Sequence, residues 1–210
     1  MAETFFFFLD AQRVSPDPDR HALRRSLRES RRNLSSATRI AAADGLAERL
    51  LTLPFAPTKG HVAGYWAMDG EIGLHAWELR LPPTLCYCLP VLDVDGRLRF
   101  APWRAGGRLV TNRYGIPEPD LQASELLQPD RMAMVVVPLV GFDARCHRLG
   151  MGGGWYDRSF DFRQAAAAPP WLVGAAFASQ QLNAIGAEAW DVTLDAVCSE
   201  NATHLAEAHT

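Results

Sequence analysis

Apolar positions recur at helical spacing early in the chain and then change period. Leu23, Leu27 and Leu34 stand four and seven residues apart in an otherwise polar stretch, which predicts an amphipathic helix over Arg20–Leu34. Ser35-Ser36 breaks it. A second helix is predicted from about Thr38 to Leu53, with Ile40, Leu46, Leu50 and Leu53 inward and Pro54 and Pro57 ending it. Beyond Pro57 the pattern becomes extended. His61–Ala67 reads as a strand, Met68-Asp69-Gly70-Glu71 as a turn and Gly73–Leu81 as a short helix. Thr84–Val91 reads as a strand stopped by Pro90, and Arg97–Trp103 alternates as another. Ala133–Val140 is a continuous apolar run, as expected of a strand buried on both faces. A glycine-rich stretch follows, then a predicted helix from about Trp155 to Ala167, a buried strand over Trp171–Ala178 and a last short strand over Thr193–Cys198. Strands alternating with helices predict an α/β fold: a single-domain sandwich with a mostly parallel central sheet flanked by helices. No repeat or linker divides the chain.

Composition narrows the function classes. The 210 residues are 48% hydrophobic and 21% charged, enough apolar material for a real core and too little charge for wholesale disorder. The net charge of −3 gives no general attraction to nucleic acid or an anionic membrane. No apolar run approaches the roughly 20 residues of a membrane helix. The Phe5–Phe8 run follows the acidic Glu3, and no small-residue cleavage site comes after it, so a cytoplasmic location is expected rather than secretion. Cys86, Cys88, Cys146 and Cys198 contain no C-x-x-C pair and read as reduced thiols acting as small hydrophobes, with Cys86 and Cys88 on opposite faces of a strand. Lys59 is the only lysine, so phosphate recognition falls to arginine.

The chemistry concentrates in Phe142-Asp143-Ala144-Arg145-Cys146-His147-Arg148-Leu149-Gly150-Met151-Gly152-Gly153-Gly154-Trp155-Tyr156-Asp157-Arg158, directly after the most buried strand and before a helix. Glycines let backbone N–H groups approach an anion, and a helix start adds a favourable dipole. Arg148 and Arg158 supply positive charge for a phosphate, and Asp157 offers the hard oxygen donors that Mg²⁺ prefers. No Gly-Lys-Ser/Thr follows, so this is not a P-loop, and the glycine spacing and late position exclude a Rossmann fingerprint.

Arg148 to Asp157 resembles the R-L-G-x-G-x-G-[YFW]-Y-D signature of the 5-formyltetrahydrofolate cyclo-ligase family. Further stretches resemble the family in order: Arg20–Arg24 followed by Arg31 and Leu34-Ser35, Tyr65–Glu71, Tyr114–Pro119, Val137–Asp143 and Trp190–Asp195. The resemblance spans about Arg20 to Ser199. It implies a fold like that of NagB, RpiA and the CoA-transferases. It also implies ATP- and Mg²⁺-dependent closure of 5-formyltetrahydrofolate to 5,10-methenyltetrahydrofolate. Small-molecule partners only are expected, and a monomer is the default state.

The resemblance also assigns residues. Arg20, Arg24 and the loop Arg148, Leu149, Gly150, Met151, Gly152, Gly153, Gly154, Trp155 and Tyr156 correspond to ATP-binding positions. Met151 to Trp155 also lie near the folate, with Trp66, Glu71 and Tyr114 as further substrate-binding positions. Arg148 and Asp157 are the catalytic candidates, and Asp157 and Asp195 the Mg²⁺ carboxylates. Arg20 stands where lysine is usual, Gly153 where some members carry lysine, and Trp155 where tyrosine is usual. Two other classes remain open: a non-catalytic folate- or nucleotide-binding relative, and a sugar-phosphate-binding protein on a related sheet. A nucleic-acid role through the basic first helix is disfavoured by the acidic net charge.

Overall fold

A computed structural model describes residues 18–207; the Phe5–Phe8 run lies outside them. The described chain opens with α1 (Pro18–Arg32) and α2 (Ser36–Leu51). Ser35 caps α2, its hydroxyl accepting from the Thr38 amide at 3.1 Å. Leu46, Leu50 and Leu53 are buried as the periodicity predicts, but Ile40 is 60% exposed: it lies one turn outside the face that Ala42, Ala43 and Ala47 press onto the sheet.

The central sheet has seven strands: β1 (Gly60–Ala63), β2 (Leu85–Leu92), β3 (Leu98–Pro102), β6 (Met132–Pro138), β9 (Trp171–Ala175), β10 (Ala196–Cys198) and β11 (Thr203–Leu205). Their order is β11-β10-β9-β6-β1-β2-β3. All interior pairings are parallel; only the outermost, β2·β3 and β10·β11, are antiparallel. Two small ribbons complete it, β4 (Leu109–Thr111) with β5 (Pro117–Pro119) and β7 (Gly141–Phe142) with β8 (Arg148–Leu149). A short helix α3 (His75–Arg80) follows β1, and α4 (Trp155–Ser159) follows β8.

Alternation along β6 divides the core. Met134 and Val136 join α2, α3 and Trp77 on one face, while Val135 and Val137 meet Phe100, Phe142 and Phe160 on the other. Several expectations are corrected. Pro90 does not stop β2: β1 has ended opposite Cys88, and Phe100, paired with Pro90, turns its own N–H to Leu127, so the missing donor costs no ladder bond. Cys86 and Cys88, two residues apart, share one face and pack on the same cluster. Burial pushes the Cys146 and Cys198 thiols up to about 11, as suits inert small hydrophobes. The predicted Trp155–Ala167 helix ends at Ser159, where Phe160 turns into the core, and a 3-10 turn over Asp161–Gln164 continues the chain.

Candidate functional site

At the carboxyl ends of β1 and β6, where ligands gather in open α/β sheets, lies a cavity of about 1160 Å³. That volume exceeds the usual range of roughly 300–1000 Å³ for one small ligand. Its walls come from α1, the turn after β1, the β4–β5 ribbon, the glycine loop and the segment before β10.

The glycine loop leaves the β7–β8 hairpin, not β6 itself. Asp143 builds that hairpin: its Oδ1 accepts from the amides of Arg145 and His147 at 3.0 Å each, and its Oδ2 accepts from Ile185 at 3.0 Å. Gly152 (φ +93°) and Gly154 (φ +64°) occupy backbone regions that side chains disfavour and so permit the sharp return into α4. With five residues, α4 is a single turn, and the dipole contribution expected of a longer helix is correspondingly small.

Most of the residues implicated by sequence converge here. Arg20, Arg24, Trp66, Glu71, Tyr114, Arg148, Gly150 to Tyr156 and Asp157 all line the cavity. Leu149 does not; it is buried beneath the loop, where its carbonyl accepts from Val140. Arg24 donates from Nε to the Gly150 carbonyl at 2.8 Å, tying α1 to the loop. Burial, then the neighbouring Arg20 charge, lowers the Arg24 pKa. The two adjacent guanidinium groups stand on one wall of the cavity. Arg20 itself reaches the Gly186 carbonyl at 3.1 Å and lies 3.9 Å from Asp191.

Asp157 Oδ1 accepts from Arg148 Nη2 and from the Val192 amide, and Arg148 Nη1 donates to the Val192 carbonyl. Asp195 is not brought to this place. It lies outside the cavity, accepting from Arg163 Nη2 at 2.9 and 3.1 Å and from the Leu172 amide at 2.7 Å. Asp191, from the same stretch as Asp195, does line the cavity, and its chain neighbour Val192 bonds Asp157. Asp191 and Asp195 lie in one short stretch, and residue order alone does not distinguish them. Among the described residues no three His, Cys, Asp or Glu side chains form a metal cage. Two carboxylates without a third partner fit Mg²⁺, which keeps waters and phosphate oxygens in its shell.

The opposite wall is aromatic and acidic. Trp155 meets Tyr114 edge-on at 6.2 Å, with the Arg113 and Arg158 guanidinium groups 5.8 and 5.3 Å from its ring. Trp66 stands edge-on to Trp103 at 6.0 Å. Glu71 Oε2 accepts from the Met68 amide at 3.0 Å, and burial raises its pKa against the lowering effects of that amide and of Arg31. Sequence reasoning missed Glu118, from the same motif as Tyr114. It lines the cavity, its Oε1 accepting from Leu92 N (2.9 Å) and Asn112 Nδ2 (2.8 Å).

Comparison with known proteins places the chain as a whole. The family model for the 5-formyltetrahydrofolate cyclo-ligase family matches residues 16–200. The 5-formyltetrahydrofolate cyclo-ligase of Haemophilus influenzae is 32% identical over 179 residues, covering 83% of this chain and 94% of that protein. That of Escherichia coli is 34% identical over 175 residues, covering 81% and 94%. The NMR structure of Aquifex aeolicus 5,10-methenyltetrahydrofolate synthetase superposes with a TM-score of 0.77 at 25% identity, covering 91% of this chain and 94% of that one. The Mycoplasma pneumoniae 5,10-methenyltetrahydrofolate synthetase shares the fold, with a TM-score of 0.65 at 20% identity over 87% of this chain and 99% of that one. The chain belongs to the 5-formyltetrahydrofolate cyclo-ligase family of enzymes.

Proposed function

We propose that the protein closes 5-formyltetrahydrofolate to 5,10-methenyltetrahydrofolate with ATP as co-substrate and Mg²⁺ bound, releasing ADP and phosphate. The observation that carries the detailed reading is the shared cavity: the arginine pair, the glycine loop, two carboxylates and Glu71 face one volume. A formamide carbonyl is a poor electrophile and its oxygen a poor leaving group. Attack of the formyl oxygen on the γ-phosphorus expels ADP and makes that oxygen part of a phosphate. N10 then bonds to the formyl carbon and loses its proton to water, and the carbon–oxygen bond breaks to release phosphate.

The chain contributes mainly position and charge. Arg20 and Arg24, with backbone N–H groups of Gly150–Gly154, hold the phosphates. Arg148 fixes the Asp157 carboxylate, and Asp157 and Asp191 hold Mg²⁺. When bound, Mg²⁺ neutralises phosphate charge during transfer. Glu71 accepts from N–H groups of the pterin, and Trp66, Tyr114 and Trp155 pack on the folate's flat rings. The NagB/RpiA-like fold, the monomeric state, cytoplasmic residence and the absence of nucleic-acid and membrane partners belong to the same reading.

The test is one ultraviolet assay of purified protein with 5-formyltetrahydrofolate, Mg²⁺ and ATP. Methenyl absorbance that appears only with ATP present is the expected result. Folate binding without product overturns the reading in favour of a non-catalytic relative, and directs attention to Gly153 and Trp155.

A further inference from the structure

We propose that Arg31 is a positioning residue for folate recognition, holding the Glu71 carboxylate aimed at the cavity without touching substrate itself. The inference rests on the reading of Glu71 as the pterin-contacting carboxylate.

Six arginines lie along the first predicted helix and look alike in sequence, yet the Arg31 side chain alone is wholly buried, at 0% exposure. A buried guanidinium is costly unless its N–H groups are met. Arg31 Nε donates to the Asp69 carbonyl at 3.0 Å, Nη2 to Asp69 Oδ2 at 3.1 Å and Nη1 to the Leu139 carbonyl at 3.2 Å. Nη2 also stands 3.6 Å from Glu71 Oε1. Arg31 is absent from the cavity wall, whereas Glu71 is part of it. Arg31 therefore acts through its neighbour.

The turn between them needs holding. Asp69 has φ +53°, a region uncommon for a residue with a side chain, and Gly70 follows at φ +77°. Arg28, Arg31 and Arg32 of α1 all pair with the Asp69 carboxylate and clamp this conformation. The turn closes through Glu71 N to the Met68 carbonyl at 2.9 Å, while Glu71 Oε2 is taken by Met68 N. Oε1 is the oxygen left for ligand, with Arg31 beside it. Arg28 and Arg31 from α1, Asp69 from the turn, Tyr65 beyond β1 and Tyr156 from α4 are the charged and titratable groups around this carboxylate. Burial favours its protonated form, and the Arg31 charge opposes that.

A double-mutant cycle tests this, with Arg31→Met and Arg31→Lys each made in the wild-type and Glu71→Gln backgrounds. Folate affinity is read by calorimetry, KM for folate and ATP by turnover, and folding by thermal melting. Arg31→Met is expected to weaken folate binding about tenfold or more while KM for ATP moves less than about twofold. In the Glu71→Gln background the same change is expected to cost less than about twofold. Arg31→Lys, which keeps the charge but cannot span three acceptors, gives a smaller loss of the same pattern and decides the matter if Arg31→Met does not fold. Equal losses in both backgrounds, or a parallel rise in KM for ATP, overturn the proposal. Absent turnover with folate binding intact is instead a failure of the proposed function, and the binding cycle still decides the role of Arg31.

Discussion

Asp157 and Asp195 are each anchored by an arginine and a backbone amide, and only one of them faces the cavity. Asp195 joins the 3-10 turn to the β9–β10 edge, which is a structural task. Exchanging Asp157 or Asp191 for Asn should lower turnover by about 10²-fold or more, since each removes charge where phosphoryl transfer needs it, with folate affinity near wild type. Asp195→Asn should instead cost roughly 1.5–3 kcal/mol, the worth of hydrogen bonds to a charged group, and lower Tm by several degrees at nearly unchanged kcat. Turnover assays and calorimetry on the three variants separate the roles, and a dead but fully stable Asp195→Asn protein would sink the distinction. The same comparison shows what residue order conveys. The signature from Arg148 to Asp157 marked most of the loop wall, because those positions are contiguous. It did not tell which aspartate of Trp190–Asp195 faces inward, because that depends on how the segment crosses Asp157. Nor could it single out Arg31, whose burial comes from the β1 turn lying over α1.

The glycine loop owes its course to backbone, not to the helix it feeds. Gly152 lies at φ +93°, while Gly150 does not need the left-handed region, and a Cβ on it would meet nothing within 4 Å. Gly152→Ala should therefore destabilise by roughly 1–2 kcal/mol, and Gly150→Ala by less than about 0.5 kcal/mol. Thermal melts check this, and indistinguishable midpoints would refute a strain-bearing Gly152. A Cβ at Gly152 would stand 3.9 Å from Arg24 Cζ, so crowding is not the cause. At the level of elements, long periodic segments were legible: α1, α2, α3 and the buried β6 and β9 lie where the pattern put them, within a few residues. The two ribbons were not. Strands of two or three residues carry no readable alternation, and β7–β8 exists because one buried carboxylate, Asp143, gathers three amides. The overlong α4 prediction failed for a packing reason. Ser159 accepts from Leu98 N, and Phe160 packs on Phe100, so the chain bends toward β3 when helical propensity alone would carry it on.

The whole molecule consists of a two-faced apolar sheet and a cavity wall fastened largely by charge. Asp69 ties α1 to the turn after β1; Asp143 ties the β7–β8 hairpin to Ile185. Burial works to raise both carboxyls. Hydrogen bonds and charge from Arg28, Arg31 and Arg32 outweigh it at Asp69, and the Ile185 amide and His147 outweigh it at Asp143, so both lie below their ordinary 3.8. A depressed folded pKa contributes stability that is present above the unfolded value and lost as pH falls through it toward the folded one. Glu71 has the opposite sign: its folded pKa lies above 4.5, so the folded state takes up a proton first and gains stability as pH falls through that range. Tm should thus hold or rise slightly from neutrality toward pH 5 and fall below about pH 4. The loss should begin at the fastenings, because Asp69 and Asp143 lie in the wall while β6 and β9 contain no acidic residue. Amide exchange at about pH 3.5 should therefore show protection lost in α1 and over residues 141–149 while β6 and β9 retain theirs. Simultaneous loss throughout would mean that the wall and core unfold as one unit, and that the charged clamps do not set the acid limit of the cavity.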